Sequence, residues 1–428
     1  MSRLVLRVIT LASLVTLASC HRQADAPGDA PSNLKVEPGD GQVTVSWVQQ
    51  PGLTYWIFFQ AGGAVTAAAP GVPLIFDAQS PRVVFPLANG TQYAFVMNAT
   101  NQDSRAGPST PVQLAVPRLA GASWTPGAPL GSAPQNLNGV AYSPTLNRFV
   151  AVGNLAPGTP PTPTIFAGDF NYTSTNPNPP GVTAWTPATS VPSGFVSDIS
   201  AVVAAGTQFI ALGTDGSILT SADGNTWILS ANPVPSGGMN SIAFGSVSGA
   251  PIYVAVGNGG NIFTSPDLVT WTKAPTTGND LYNVSFPNGT FIATGASGTL
   301  LTSTDASTWT PQISNTPNAL RGATFGTGSA AGASAHYVVV GDSGTIVTST
   351  DGTNWNPITP APLTQGLRAI RFATRFVAVG QGGIVAYSDD AINWLTTPSG
   401  SASDLAAITF APATYLAVGA SGANAVSR

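Results

Sequence analysis

The chain has 428 residues, with 14 Lys and Arg against 18 Asp and Glu and a formal net charge of −4, which excludes the general basic field that nucleic acid or anionic lipid would require. Charged residues make up 7% and hydrophobic residues 43%, too apolar for a disordered chain; 47 Gly and 37 Pro fit many short strands joined by tight turns. Cys20 is the single cysteine, so no intramolecular disulfide can form and an apolar core, for which the length suffices, must hold the fold.

At the start, Arg3 and Arg7 precede an apolar run, Val8 to Leu17, too short to span a bilayer as a stable helix. Leu17-Ala18-Ser19-Cys20 follows. This resembles the bacterial lipobox, a small-residue site cut just before an acylated cysteine. The resemblance implies a signal peptide over 1–19 and a lipid on Cys20 that holds the mature chain at a membrane surface. It implies a bacterial envelope protein, and His21 after the cysteine points to the outer membrane. Residues 20–30, rich in Ala, Asp, Gly and Pro, read as a flexible tether.

In the next stretch, Val43, Val45 and Trp47 alternate after the turn signal Gly39-Asp40-Gly41, and Tyr55, Ile57 and Phe59 alternate again. This is the period-2 pattern of half-buried strands. Leu87 stands six residues before Tyr93, with Phe95, Met97 and Ala99 alternating beyond it. Residues 31–117 thus resemble a fibronectin type III domain. The resemblance implies a sandwich with Trp47 in its core, a tyrosine corner at Tyr93, and the role of a spacer.

From Trp124 onward one phrase recurs: an aromatic residue, three small or β-branched apolar residues, then Gly. It occurs at Phe149–Gly153, Phe209–Gly213, Tyr253–Gly257, Phe291–Gly295, Tyr337–Gly341, Phe376–Gly380 and Tyr415–Gly419. Before it stands L-x-x-[IV]-x-F or a variant, and after it a G-x-x-G hairpin in which glycine supplies positive φ. Five copies continue into S-x-D-x-x-x-W: Ser221–Trp227, Ser265–Trp271, Ser303–Trp309, Ser349–Trp355 and Ser388–Trp394. The tryptophans recur about every 45 residues, which with four short strands per unit predicts a β-propeller. The first repeat departs from the pattern, with a Pro-rich expansion at Asn154–Pro163, Gly168-Asp169-Phe170 in place of the box, and an insertion at Asn171–Gly181. The last repeat stops at Ser427, where the aspartate of a box would follow, and a spare Trp stands at Trp124. Residues 122–126 are therefore expected to complete the seventh blade of a propeller over 122–428.

The boxes resemble the Asp boxes of sialidase-type propellers, and their short spacing is closer to the photosystem II assembly factor family. The resemblance implies that Asp223, Asp267, Asp305, Asp351 and Asp390 bond backbone amides of a turn. A sialidase would need a glutamate partner, and the only glutamate is Glu37, outside the propeller. His336 is the propeller's only histidine, which excludes a His-based triad or multi-His metal site within it. No catalytic residue, cofactor or metal is predicted.

Binding remains. The residue after the first apolar position of each innermost strand should sit at the channel mouth: Asn138, Ser200, Asn240, Tyr282, Arg321, Arg368 and Ala406. Asn240, Tyr282, Arg321 and Arg368 are the candidate ligand contacts, exposed and free to bind, since Arg and Tyr anchor many interfaces. Arg371 is added because its counterparts are small or apolar. Arg148 and Arg375 fall on turns at the opposite face. The sequence therefore predicts an all-β lipoprotein, a fibronectin type III sandwich followed by a seven-bladed β-propeller, that binds a protein or glycan without catalysis. An assembly factor for an envelope complex and a carbohydrate-active enzyme are the alternatives.

Overall fold

A computed structural model describes residues 25–101, 105–131, 134–170, 182, 184–275 and 278–427. Cys20, the signal segment and the Asn171–Gly181 insertion lie outside the described residues. The chain is all-β and divides into two compact units: one reaches to Leu34 and adds Trp47–Ser80 and Tyr93–Leu114, and the other holds Lys35–Ser46, Pro81–Gln92 and Ala115–Arg428.

The first unit is built on the long hairpin Leu53–Ala61 with Tyr93–Asn101. Phe58, Val65, Ala94 and Val96 form a buried cluster. Trp47 packs on Tyr55 with ring centroids 5.4 Å apart, and the Tyr55 hydroxyl accepts from the Gln50 amide at 2.8 Å. In the second unit, Lys35–Gly39, Gln42–Ser46 and Arg82–Val84 form a three-stranded antiparallel sheet.

The rest of the second unit comprises seven four-stranded antiparallel sheets. Their first strands are Leu137–Ser143, Ile199–Ala205, Met239–Val247, Leu281–Ser285, Leu320–Thr327, Leu367–Phe372 and Leu405–Ala411. These strands neighbour one another in order, and the last returns to the first. The core lies between sheets: Val338 and Val340 of the fifth pack with Leu367, Ile370 and Phe376 of the sixth.

The repeated residues form one stack per sheet. In the fifth, Phe325 and Tyr337 lie 4.5 Å apart, and Trp355 lies 6.1 Å beyond Tyr337. In the sixth, Phe372, Phe376 and Trp394 do the same at 4.7 and 6.4 Å. One aromatic from the first strand, one from the second and the box tryptophan therefore recur together, because each buries the next.

The box turns are alike in detail. Asp305 Oδ1 accepts from the Ser307 and Thr308 amides at 2.8 and 2.7 Å and from Ser303 Oγ at 3.0 Å. In four boxes the tryptophan indole donates to the backbone carbonyl three residues earlier, as Trp309 does to Ala306 at 3.1 Å; the Trp271 indole has no hydrogen-bond partner among the described residues. Thr310–Pro311, Asn356–Pro357 and Leu395–Pro398 end outer strands in proline, which keeps a free edge from recruiting another strand.

Trp124–Pro126 pairs antiparallel with Ala425–Ser427, with Trp124 opposite Ser427. Ser427 takes the place of a box serine: its Oγ accepts from Gly121 N at 2.6 Å and donates to Ser123 O at 2.5 Å. Trp124 donates to Gly121 O at 2.8 Å. The seventh box is thus split between distant parts of the chain, with Ala120 where the others carry Asp.

The strands of the expanded hairpin in the first sheet run on as Arg148–Ala156 and Thr162–Asp169, with Ala156 opposite Thr162. One expectation is corrected here: the two glycines of G-x-x-G do not both supply positive φ. Gly344 has φ +68°, but Gly341 is extended at −163°. Gly341 is required because a Cβ there would lie 2.2 Å from the Ala319 carbonyl, which accepts from the Asp342 amide at 2.9 Å.

Candidate functional site

The seven first strands line one cavity of about 430 Å³ along the channel. Asn240, Tyr282, Arg321, Arg368 and Arg371 all contribute to its wall. The structure adds a feature that the sequence pattern hides. In every sheet the mouth residue is the extra residue of a β-bulge: Leu320 pairs with Gly341 and Gly322 with Val340, leaving Arg321 unpaired between them. The same shift leaves out Asn138, Ser200, Asn240, Tyr282, Arg368 and Ala406. A bulge re-aims its side chain, and here it turns seven equivalent positions toward one opening.

Most of these side chains are not free, contrary to expectation. Asn240 Nδ2 donates to Asn258 Oδ1 at 2.9 Å and to Leu281 O at 2.8 Å, so its amide ties the third sheet to the fourth. Asn138 does the same between the first and second sheets, donating to Ile199 O at 2.9 Å. Arg321 grips Asp342 with both ends of its fork, at 3.0 and 2.9 Å, and Arg368 reaches the same carboxylate at 3.0 Å. The Arg321 guanidinium also lies 4.4 Å from the centre of the Tyr282 ring. The two arginine side chains retain 26% and 27% exposure, so they are half-buried, with an internal anion in place of an external one. The hydrogen bond from Arg321 and the positive charge of both arginines, against the opposing effect of burial, hold Asp342 below the usual carboxylate range. Asp342 was missed from the sequence; the signal was an acid inside a G-x-x-G hairpin.

Arg371 differs. Among the described residues its guanidinium has no hydrogen-bond or ion-pair partner. Its side chain is exposed to the solvent of the channel; partial desolvation by the channel wall depresses its pKa while the nearby Tyr415 hydroxyl acts the other way. Arg375, expected at an open turn, is 8% exposed. It binds Asp389 through two bonds of 2.8 and 2.6 Å and stacks over Tyr387.

The carboxylates of the propeller are all engaged. The box aspartates hold their turns. Asp198, Asp280 and Asp404, each just before a first strand, accept from the amides of Leu155, Gly259 and Gly382 in the neighbouring hairpin at 2.7, 2.8 and 2.8 Å. Asp215 accepts from Ser217 within its own turn. Asp169, Asp342 and Asp389 pair with arginines. His336 is half-buried, with Nδ1 2.9 Å from Ser334 O. Among the described residues no group of three or more His, Cys, Asp or Glu could hold a metal ion.

No protein-family model matches the sequence, and neither does any curated protein. Solved structures do resemble the fold. YCF48 bound to a D1 peptide superposes with a TM-score of 0.52 at 18% identity, over 71% of this chain and 96% of that one. A streptogramin B lyase gives 0.54 at 10% identity, over 71% and 97%. YCF48 from Cyanidioschyzon merolae gives 0.49 at 17% identity, over 71% and 98%. By its fold this chain is a β-propeller protein.

Proposed function

We propose that the protein is a non-catalytic, lipid-anchored binding protein of the bacterial envelope, whose seven-bladed propeller takes a protein or glycan ligand at the channel mouth. In this reading the lipid on Cys20 places it at the outer membrane, and a fibronectin type III spacer covers residues 31–117. The observation that carries the binding site is the cluster of Tyr282, Arg321, Arg368 and Asp342. Three neighbouring sheets present it from bulges and one hairpin, and mutual pairing holds it in a fixed geometry. A rigid cluster loses little freedom when a partner docks, and Tyr and Arg are common interface anchors. The engagement of each propeller aspartate within the fold supports binding over hydrolysis by a carboxylate pair.

An assembly-factor role is the second reading. The structural neighbour YCF48 was solved with a D1 peptide, a case of a propeller of this shape holding a segment of another protein.

The test is affinity purification of the lipidated protein from its own membranes. Arg321→Ala, Arg368→Ala and Asp342→Ala combined remove the cluster without stranding a charge. This triple variant should lose a stoichiometric partner that wild type and Lys273→Ala retain. Cys20→Ser should shift the protein out of the membrane fraction. Equal recovery of the partner by the triple variant would place the site elsewhere.

A further inference from the structure

We propose that the channel interior is a binding site for a small oxyanion, of the carboxylate or phosphate class, held by Arg371 with the hydroxyls of Thr324 and Thr409. The first observation is register. Arg371 pairs opposite Val377, as Ser285 does opposite Ile292, Thr324 opposite Val338 and Thr409 opposite Leu416. Ala141, Val203 and Ala243 occupy the same level opposite Val150, Ile210 and Val254. One level of the channel is therefore apolar over three consecutive sheets and polar over the other four, and all seven residues line the cavity.

The second observation is the balance of donors and acceptors. The cavity wall contains three arginines and neither Asp nor Glu. Arg321 and Arg368 share the single carboxylate of Asp342 behind the wall. Arg371 has no partner among the described residues. Thr324 Oγ1 accepts from the Phe372 amide at 3.1 Å, which leaves its proton free to donate. Thr409, on the sheet next to that of Arg371, has no hydroxyl hydrogen bond among the described residues. Ser285 already donates to Ala323 O at 3.1 Å. The polar half of this level thus offers a guanidinium fork and two hydroxyl protons, with no carboxylate facing them.

Arg371 is exposed to the solvent of the channel and has no protein partner among the described residues, so its guanidinium is open to an anion from outside. Its planar fork matches a carboxylate or phosphate oxygen pair. A cavity of about 430 Å³ sits at the small end of ligand-pocket sizes, which limits the occupant to a small molecule or the tip of a larger one. Burial lowers the Arg371 pKa, in line with a site that lacks its counter-charge. This inference is separable from the mouth site, since among the described residues Arg371 shares no hydrogen bond or ion pair with Arg321, Arg368 or Asp342.

The experiment uses the purified mature protein in chloride buffer, titrated with inorganic phosphate or with acetate at constant ionic strength. Calorimetry and melting temperature are the readouts. Wild type should bind at least one of the two saturably and melt higher with it; which one separates the phosphate from the carboxylate source. Arg371→Met should weaken that binding tenfold or more and melt close to wild type without the anion, because the exposed guanidinium bonds no other group among the described residues. Arg371→Lys should retain part of the binding. Three results would overturn the proposal: no saturable binding of either anion by wild type, equal binding by Arg371→Met, or a melting temperature of Arg371→Met well below wild type without anion, which would make the guanidinium a structural partner. Partner recovery by the mouth variants reads the other site separately.

Discussion

Ser427→Ala tests how the ring of sheets is joined. Ser427 is fully buried, and its hydroxyl serves two backbone groups, Gly121 N and Ser123 O. Ala120 replaces the box aspartate, so no carboxylate is present to take over the Gly121 amide. Orphaning a buried backbone group costs about 1–3 kcal/mol. Ser123 is half-buried and water can reach its carbonyl in part, so the sum is about 2–4 kcal/mol. For a domain of this size that corresponds to a fall in Tm of roughly 3–6 °C. The comparison is Ser303→Ala in an intact box. There Asp305 keeps its two backbone donors, Ser307 and Thr308, and the cost is about 1 kcal/mol. Thermal melts of both variants, followed by far-ultraviolet circular dichroism and by tryptophan fluorescence, give the difference. If Ser427→Ala melts within a degree or two of Ser303→Ala, the split box is not what ties Trp124–Pro126 to the last sheet.

Gly341→Ala and Gly352→Ala should separate close approach from backbone handedness. The first puts a Cβ 2.2 Å from the Ala319 carbonyl and should cost more than about 3 kcal/mol in urea unfolding. The second places alanine at φ +75°, where the nearest neighbour is 3.5 Å away and Ala306 already tolerates φ 62°, so about 1 kcal/mol is expected; similar costs would refute the distinction. Acid should weaken the fold through the boxes. Amide hydrogen bonds from Thr308, Thr270 and Asn354 hold Asp305, Asp267 and Asp351 below the usual carboxylate range. Burial pushes Asp223 and Asp390 up, but their amide and side-chain hydrogen bonds outweigh it and leave both lowered. A depressed folded-state pKa means stability that is fully present above the ordinary value of about 4 and lost as pH falls through the folded value. The urea midpoint should therefore be flat from about pH 7 to 5 and fall below about pH 4, and a midpoint unchanged down to pH 2 would contradict this.

The repeats were legible because each motif does a local job. The aromatic phrase, the preceding Phe and the box tryptophan stack in the fourth, fifth and sixth sheets, so their spacing in sequence encodes a contact. The box aspartates bond amides two and three residues away, and short-range bonds leave a fixed pattern of residue types. Trp124 and Ser427 could be matched because each is half of a motif repeated elsewhere. The bulges could not be read this way. They arise where the Ala319 carbonyl approaches Gly341 so closely that only glycine fits, and in the sequence that shows only as another glycine.

The mouth and the channel differ in how much the sequence could say of them, and the difference is electrostatic. Arg321 and Arg368 stand out in a chain with 14 basic residues, and their equivalence by repeat is readable. Their partner is not, because Asp342 lies on a hairpin outside the strand pattern, and nothing in its spacing marks it as the anion between two sheets. The same reasoning gives Arg371 its weight. Arg148, Arg321, Arg368 and Arg375 each reach a carboxylate, of Asp169, Asp342 or Asp389, and inside the channel Arg371 reaches none among the described residues. The fold keeps a guanidinium at a level where every other sheet carries Ala, Val, Ser or Thr, exposed to the channel and without a protein partner among the described residues. An anion from outside would complete the pair, and the stability of Arg371→Met without anion separates that role from a structural one, since a purely ligand-binding arginine can be removed without loss of stability.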